Sequence, residues 1–175
     1  TEGVEKMIRC ADIINESVVD GPGIRMVVFL QGCPRHCPGC HNEQLIPVEG
    51  GRQWAEEDFA ELILGRLSPL HRGITFSGGD PLMQAEALAT VAAIIKARRP
   101  VTDIWLYTGY VYEEIENFPV MKYVDVLVDG PFIKAQKNLD LAFRGSANQR
   151  IIDVAQTRAA GEVVECYFDN ISKVG

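Results

Sequence analysis

The chain has 175 residues, 47% of them apolar, with 17 Lys and Arg against 24 Asp and Glu for a formal net charge of −7. That length and composition suit one globular domain over 1–175 with a core of its own, and the acidic balance argues against a broad nucleic-acid footprint. No apolar run reaches the roughly 18 residues of a membrane span, and the start TEGVEKMIRC lacks the basic-then-apolar pattern of a signal peptide.

Met7 to Ile14 reads as a first strand, with Cys10 as small core filler within it. Asn15 to Gly23 is a loop, and Asp20-Gly21-Pro22-Gly23 is a turn signal. Arg25, either a solvated edge charge or a site residue, leads the apolar run Met26 to Leu30. That run ends in GCPRHCPGCHN, which sets Cys33, Cys37 and Cys40 in a C-x3-C-x2-C array. Pro34, Pro38 and Gly39 favour turns over a helix, so three thiolates on one short loop can converge on a single metal centre. A 4Fe–4S cluster normally takes four cysteines. Three would leave one iron open, by the logic that separates open catalytic metal sites from closed structural ones. Zinc on the three cysteines plus His36 or His41 is the alternative. A disulfide framework is disfavoured by the odd count of five cysteines.

Leu45 to Gln53 reads as irregular, broken by Gly50-Gly51. A helix is expected over Ala55 to Leu67, with Phe59, Leu62, Ile63 and Leu67 on one face and Glu56, Glu57 and Asp58 in its first turn. Gly73 to Phe76 is a strand that runs into Ser77-Gly78-Gly79-Asp80-Pro81. This is a plain strand-to-helix turn or a ligand loop: the glycines permit close backbone approach, and Asp80 can cap a helix beginning at Pro81. Leu82 to Arg99 is the second helix, Asp103 to Tyr107 the next strand, and Thr108-Gly109-Tyr110 its turn. Tyr112 to Asn117 is a short helix. Tyr123 to Val128 is nearly all apolar, as a strand buried on both faces would be, with Asp125 directed outward at an edge. It ends in Asp129, at the strand terminus where α/β folds keep their chemistry. Ile133 to Asn148 is polar loop, RGSxNQRIID over Arg144 to Asp153 is a turn entering a strand, and Gly161 to Phe168 is a last strand. Cys166 is not expected to be a ligand, and His71 reads as surface. Strands alternating with helices give a β/α pattern with a parallel sheet. There are too few units for a closed barrel, so the expectation is an open partial (β/α) barrel, mostly parallel.

The cysteine array resembles the signature of the radical S-adenosylmethionine superfamily. Val19-Asp20-Gly21-Pro22-Gly23-Ile24-Arg25 followed by Val27-Val28-Phe29-Leu30-Gln31-Gly32-Cys33 resembles the start of the glycyl-radical-enzyme activases. Within them, Cys37-Pro38-Gly39-Cys40-His41-Asn42 and the RGSxNQRIID run are similar to the branch that activates anaerobic ribonucleoside-triphosphate reductase. Many activases carry an aromatic residue where this chain has Gly39, and the reductase-activating branch does not. The resemblance implies one 4Fe–4S cluster on Cys33, Cys37 and Cys40, with S-adenosylmethionine on the open iron. It further implies that Gly39, Cys40, His41, Ser77, Gly78, Gly79, Asp80, Thr108, Asp129 and Arg150 border the cofactor. Ser77 to Pro81 matches a GGE-like loop that bonds the methionine amino group; because Asp80 replaces the usual Glu, the two glycine backbones are expected to matter more than its side chain. Arg150 or Asn148 is expected to touch cofactor or partner, and His36 and His41 to tune the cluster surroundings. The implied reaction is reductive cleavage of S-adenosylmethionine to methionine and a 5′-deoxyadenosyl radical. That radical takes a hydrogen atom from a glycine of the reductase, with no acid–base pair. A small redox protein such as a flavodoxin supplies the electron, in the cytoplasm, without nucleic acid or membrane. Activation of another glycyl-radical enzyme, action on a purine-like metabolite, and a non-catalytic zinc module are the alternatives.

Overall fold

The computed structural model describes residues 6–35, 37–40 and 43–168. Seven strands form one open sheet in the order β3-β1-β2-β4-β5-β6-β7. They are β1 (Met7–Ser17), β2 (Arg25–Leu30), β3 (Arg52–Ala55), β4 (Gly73–Gly78), β5 (Asp103–Tyr107), β6 (Val126–Asp129) and β7 (Arg150–Asp153). The centre, β2-β4-β5-β6, is parallel. Pairings of β1 with β2 and β3, and of β6 with β7, are antiparallel. The mostly parallel open α/β sheet is thus the expected class, with antiparallel strands at both margins.

Alternation along the central strands divides the side chains between two faces. Met26, Val28, Leu30, Ile74, Phe76, Ile104, Leu106 and Leu127 face helices α1 (Glu56–Arg66) and α2 (Ala85–Arg98). From the helices come Phe59, Ala60, Ile63, Leu88, Val91, Ala92 and Ile95, all fully buried. The opposite face carries a smaller cluster of Trp105, Val128 and Ile151, flanked by Tyr107, Phe143 and Cys166. Burial on both faces is what lets these strands be so uniformly apolar.

Several expectations at the margins need correction. Arg52–Ala55, expected as loop and helix start, is a strand because it pairs with Met7 to Cys10. The first turn of the second helix is a 3₁₀ turn, Pro81–Gln84, capped by Asp80; α2 follows it. The short helix α3 is confined to Tyr112–Ile115. Tyr123 to Asp125 precede the strand β6, and Asp125 does not simply point outward at an edge: its carboxylate accepts from Lys96 at 2.6 Å and from the Ile104 amide at 2.8 Å. The last expected strand, Gly161 to Phe168, is reduced to a single bridge of Glu165 to Ile152; before it the chain forms a helix that was not expected, α4 (Val154–Ala160), capped by Asp153 and ended by Gly161 at φ 73°. Arg25 is neither a solvated edge charge nor near the cysteines. It is wholly buried at the opposite end of β2.

Candidate metal and cofactor site

The parallel strands all end on the same side of the sheet, and the loops that follow them meet there. The cysteine loop leaves β2 and is pinned at its base. Gly32 and Cys33 donate their amides to Leu45 and Ile46 carbonyls at 2.7 and 3.0 Å. The Gln31 side chain reinforces the return, donating to Gln44 and Pro47 carbonyls at 3.2 and 2.6 Å. A turn closes the far end, where the Cys40 amide donates to the Cys37 carbonyl at 3.0 Å. Cys33, Cys37 and Cys40 are each half-buried.

The glycine loop after β4 lies directly against this base. The Gly79 amide donates to Leu30 at 3.1 Å and the Asp80 amide to Gly32 at 2.7 Å. A side chain at Gly78 would put its Cβ 2.3 Å from the Leu30 carbonyl, and one at Gly79 would meet the Gly32 carbonyl at 2.3 Å. The two glycines are therefore required by close backbone passage between neighbouring loops. Ser77, Gly78 and Gly79 keep partial exposure.

Asp80 is 1% exposed, and four groups hold its carboxylate. Leu82 donates its amide at 3.0 Å, the Thr108 hydroxyl reaches it at 2.9 Å and the Gly109 amide at 2.9 Å. The fourth is Arg35, whose Nη1 stands 2.5 Å from Oδ2. One carboxylate thus ties the loops after β2, β4 and β5 together. Thr108 serves this knot, turning its hydroxyl to Asp80. Arg35 was not anticipated. A lone cation inside the cysteine array is a signal, but its partner is 45 residues away.

Asp129, 1% exposed at the end of β6, is bound by Arg150 at 2.6 Å and by the Tyr112 amide at 2.8 Å. Arg150 also reaches Glu113 at 2.9 Å. The RGSxNQ run closes on itself and on the turn after β6. Gln149 accepts from the Gly145 and Ser146 amides and donates to Gly130, and Asn148 donates to Pro131 at 2.8 Å. Asn148 and Arg150 therefore brace this corner of the site. Gly39 lies nearby: a Cβ there would stand 3.5 Å from Phe132 and Lys134. His36, His41 and Asn42 lie outside the described residues.

Burial pushes the Cys33 thiol above its ordinary range, opposed by hydrogen bonds from the main chain and side chain of Arg35. Cys10 is 6% exposed, and burial pushes its thiol up to about 11, as befits an inert core cysteine. Among the described residues, no three His, Cys, Asp or Glu side chains stand close enough to share one metal ion. A mononuclear zinc site would need that convergence. A 4Fe–4S cube takes one thiolate per iron, so its ligands ring a wider group. Three half-buried thiols on one pinned loop have the soft-ligand chemistry such a cluster needs.

The model of the 4Fe-4S single cluster domain family matches residues 19–152. The anaerobic ribonucleoside-triphosphate reductase-activating protein of Enterobacteria phage T4 is 39% identical over 137 residues, 76% of this chain and 86% of that one. Its namesake from Vibrio cholerae is 38% identical over 141 residues, 77% and 90% of the two chains. Among solved structures, QueE from Escherichia coli aligns at a TM-score of 0.47 with 16% identity, over 59% of this chain and 52% of that one. The chain belongs to the 4Fe-4S single cluster domain family and, within it, to the anaerobic ribonucleoside-triphosphate reductase-activating proteins, the branch its cysteine array and RGSxNQ run resemble.

Proposed function

We propose that this activating enzyme, one core domain over 1–175, holds a single 4Fe–4S cluster on Cys33, Cys37 and Cys40 and binds S-adenosylmethionine at the iron left open. Its substrate is the anaerobic ribonucleoside-triphosphate reductase, and a small cytoplasmic redox protein such as a flavodoxin supplies the electron. Bound together, cluster and cofactor would supply reductive cleavage of the sulfonium and the 5′-deoxyadenosyl radical that takes a hydrogen atom from a glycine of the reductase. The observation that carries this reading is the meeting of the cysteine loop with the Gly78-Gly79 turn, through the Asp80 amide on the Gly32 carbonyl at 2.7 Å.

Each residue has a bounded task. The three thiolates hold the cluster, and Gly39 and Cys40 form the turn beside it. Ser77, Gly78 and Gly79 offer a main-chain edge on which a methionine moiety can lie. Asp80 has its carboxylate engaged by Leu82, Thr108, Gly109 and Arg35, so its part is to fix that edge. Asp129 and Arg150 hold the far wall. None of these groups needs to move a proton, because the cofactor carries the chemistry and the protein supplies geometry.

Anaerobic reconstitution of the full chain with iron and sulfide tests the reading. About four irons and four sulfides per chain are expected, with a paramagnetic resonance spectrum of the reduced protein that changes on adding S-adenosylmethionine. Mixing with the reductase and a reductant should then yield a glycyl radical on the reductase. Zinc without sulfide would sink the cluster assignment. A cofactor-sensitive cluster that leaves the reductase without a radical would redirect the enzyme to another glycyl-radical protein or a purine-like metabolite.

A further inference from the structure

Arg35 is the one charged residue between Cys33 and Cys37 whose side chain is described, and the structure has built a seat for it. Its guanidinium lies 4.2 Å from the Tyr110 ring centroid, in the cation–π range. It stands 2.5 Å from a carboxylate that is 1% exposed. It also rests on Gly109, where any Cβ would fall 2.6 Å from Nη1 and 2.7 Å from Cζ. An ion, a ring and a missing side chain thus converge on one guanidinium, and all three belong to loops other than its own. An arginine tethered only for solubility would need none of them.

We propose that Arg35 is the positioning residue of the cysteine loop: seated on Gly109, Asp80 and Tyr110, it fixes Cys33 and raises the reduction potential of the cluster that Cys33 helps to hold. The proposal rests on the cluster reading above. Cys33 is two residues from Arg35 on the same loop, so seating the guanidinium on Asp80 and Tyr110 fixes that stretch of loop and keeps a cation near the ligand. Positive charge held near a ligating sulfur stabilises the reduced cluster, so it moves the potential upward. The seat matters because a guanidinium free in solvent would be screened and would hold no fixed distance to the sulfur. Through Asp80, the same knot ties the cluster loop to the turns after β4 and β5.

The test is an electron paramagnetic resonance-monitored redox titration of the reconstituted full chain, with iron and sulfide counted beforehand. Three variants are compared with the unaltered protein: Arg35→Ala, Arg35→Lys and Gly109→Ala. The last changes no residue of the cysteine loop and no charge. Gly109 has ordinary backbone geometry, and the three atoms nearest the Cβ it gains all belong to the movable end of Arg35. Arg35→Ala and Gly109→Ala should both bind a full cluster with a midpoint shifted to more negative potential, while Arg35→Lys, which keeps charge but not the planar fork, recovers part of the shift. A midpoint unchanged in both alanine variants at full iron content overturns the proposal and leaves the cluster reading intact. Absence of a cluster in the unaltered chain overturns both. If Arg35→Ala does not fold, Gly109→Ala decides alone, by whether its midpoint moves.

Discussion

Two arginines border the two ends of β2, and they serve unlike purposes. Arg25 enters the strand at the end remote from the cysteines and is wholly buried. It donates to Thr75 Oγ1 at 2.9 Å, to the Ile74 carbonyl at 3.0 Å and to Pro22 at 3.2 Å, and lies 5.5 Å from the Trp105 ring. Its Nη2 comes within 2.5 Å of Asp103 Oδ1, an oxygen that receives no well-aligned hydrogen bond, so this contact is Coulombic. Arg35 follows the other end, on a loop, with 22% of its side chain exposed. Arg25 joins strands into a closed polar knot under the sheet; Arg35 joins the loops that border the proposed cofactor site. Burial depth, and what lies beyond the guanidinium, separate a folding role from a positioning one.

The largest expected effect belongs to the cysteine loop. Replacing Cys33, Cys37 or Cys40 by Ala should abolish cluster uptake, read as iron and sulfide per chain after reconstitution, whereas Cys10→Ala and Cys166→Ala should leave both counts unchanged. Retained iron in any of the first three would remove that residue from the ligand set. At the other end, Arg25→Ala takes a wholly buried cation from the half-buried Asp103 carboxylate and a donor from the Thr75 hydroxyl. Breaking a fully buried ion pair costs about 3 to 5 kcal/mol. With Asp103 28% exposed and Arg72 still beside it, the loss should fall below that range yet remain a measurable share of the roughly 5 to 15 kcal/mol that holds a domain together. Urea unfolding of the cluster-free chain measures it. Molecules that remain folded should still take up iron normally, and a loss of uptake without loss of stability would erase the contrast between the two arginines.

Cys10 gives the next effect, through pH. Its folded-state pKa is raised from 9.0 to about 11, chiefly by burial, so the folded chain keeps a proton that the unfolded chain gives up. Stability from this thiol is therefore complete below pH 9 and is lost as pH rises towards 11, by about 2 to 3 kcal/mol in all. Cys10→Ala should show a shallower fall across that window in the cluster-free chain. An identical slope would mean that the alkaline loss arises elsewhere.

The sequence carried the centre of this fold better than its margins. Met26 to Leu30, Gly73 to Phe76 and Asp103 to Tyr107 are short apolar runs bounded by turn signals, and each is a parallel strand of the central sheet. Antiparallel pairing of β1 and β7 was not legible, because a strand's own period says nothing of its partner's direction. β3 exists through pairing with Met7 to Cys10, despite the glycines before it. Helix α4 has start and stop signals that the reading of the sequence did not use: Asp153 accepts from the Gln156 amide at 2.9 Å and Gly161 ends the last turn. At the site, the cysteines, glycines, Asp80 and Asp129 were visible as motifs at strand ends. Their bonding was not. The carboxylate partners of Arg25 and Arg35 lie 78 and 45 residues away, and nothing local in the chain predicts which carboxylate a cation will meet.

The smallest expected effect compares the two carboxylates that share Arg150. Asp129 is 1% exposed and Glu113 57% exposed, though Arg150 approaches them at 2.6 and 2.9 Å. The hydrogen bond from Arg150 holds the Glu113 carboxyl below its ordinary value of 4.5. A depressed carboxylate contributes stability above its unfolded pKa and loses it as pH falls through the folded one, so the contribution is present at neutral pH and disappears in the acid range below 4.5. Exposed pairs are screened and contribute about 0 to 1 kcal/mol. Glu113→Gln should therefore cost less than about 1 kcal/mol at pH 7, shrink further in high salt, and converge on the unaltered protein in acid. Asp129→Asn, which leaves Arg150 with only its exposed partner and dilutes a buried charge pair, should cost several times more. Equal costs for the two, by urea unfolding at neutral pH, would mean that distance rather than burial governs the pair, and the same objection would then reach the contrast drawn between Arg25 and Arg35.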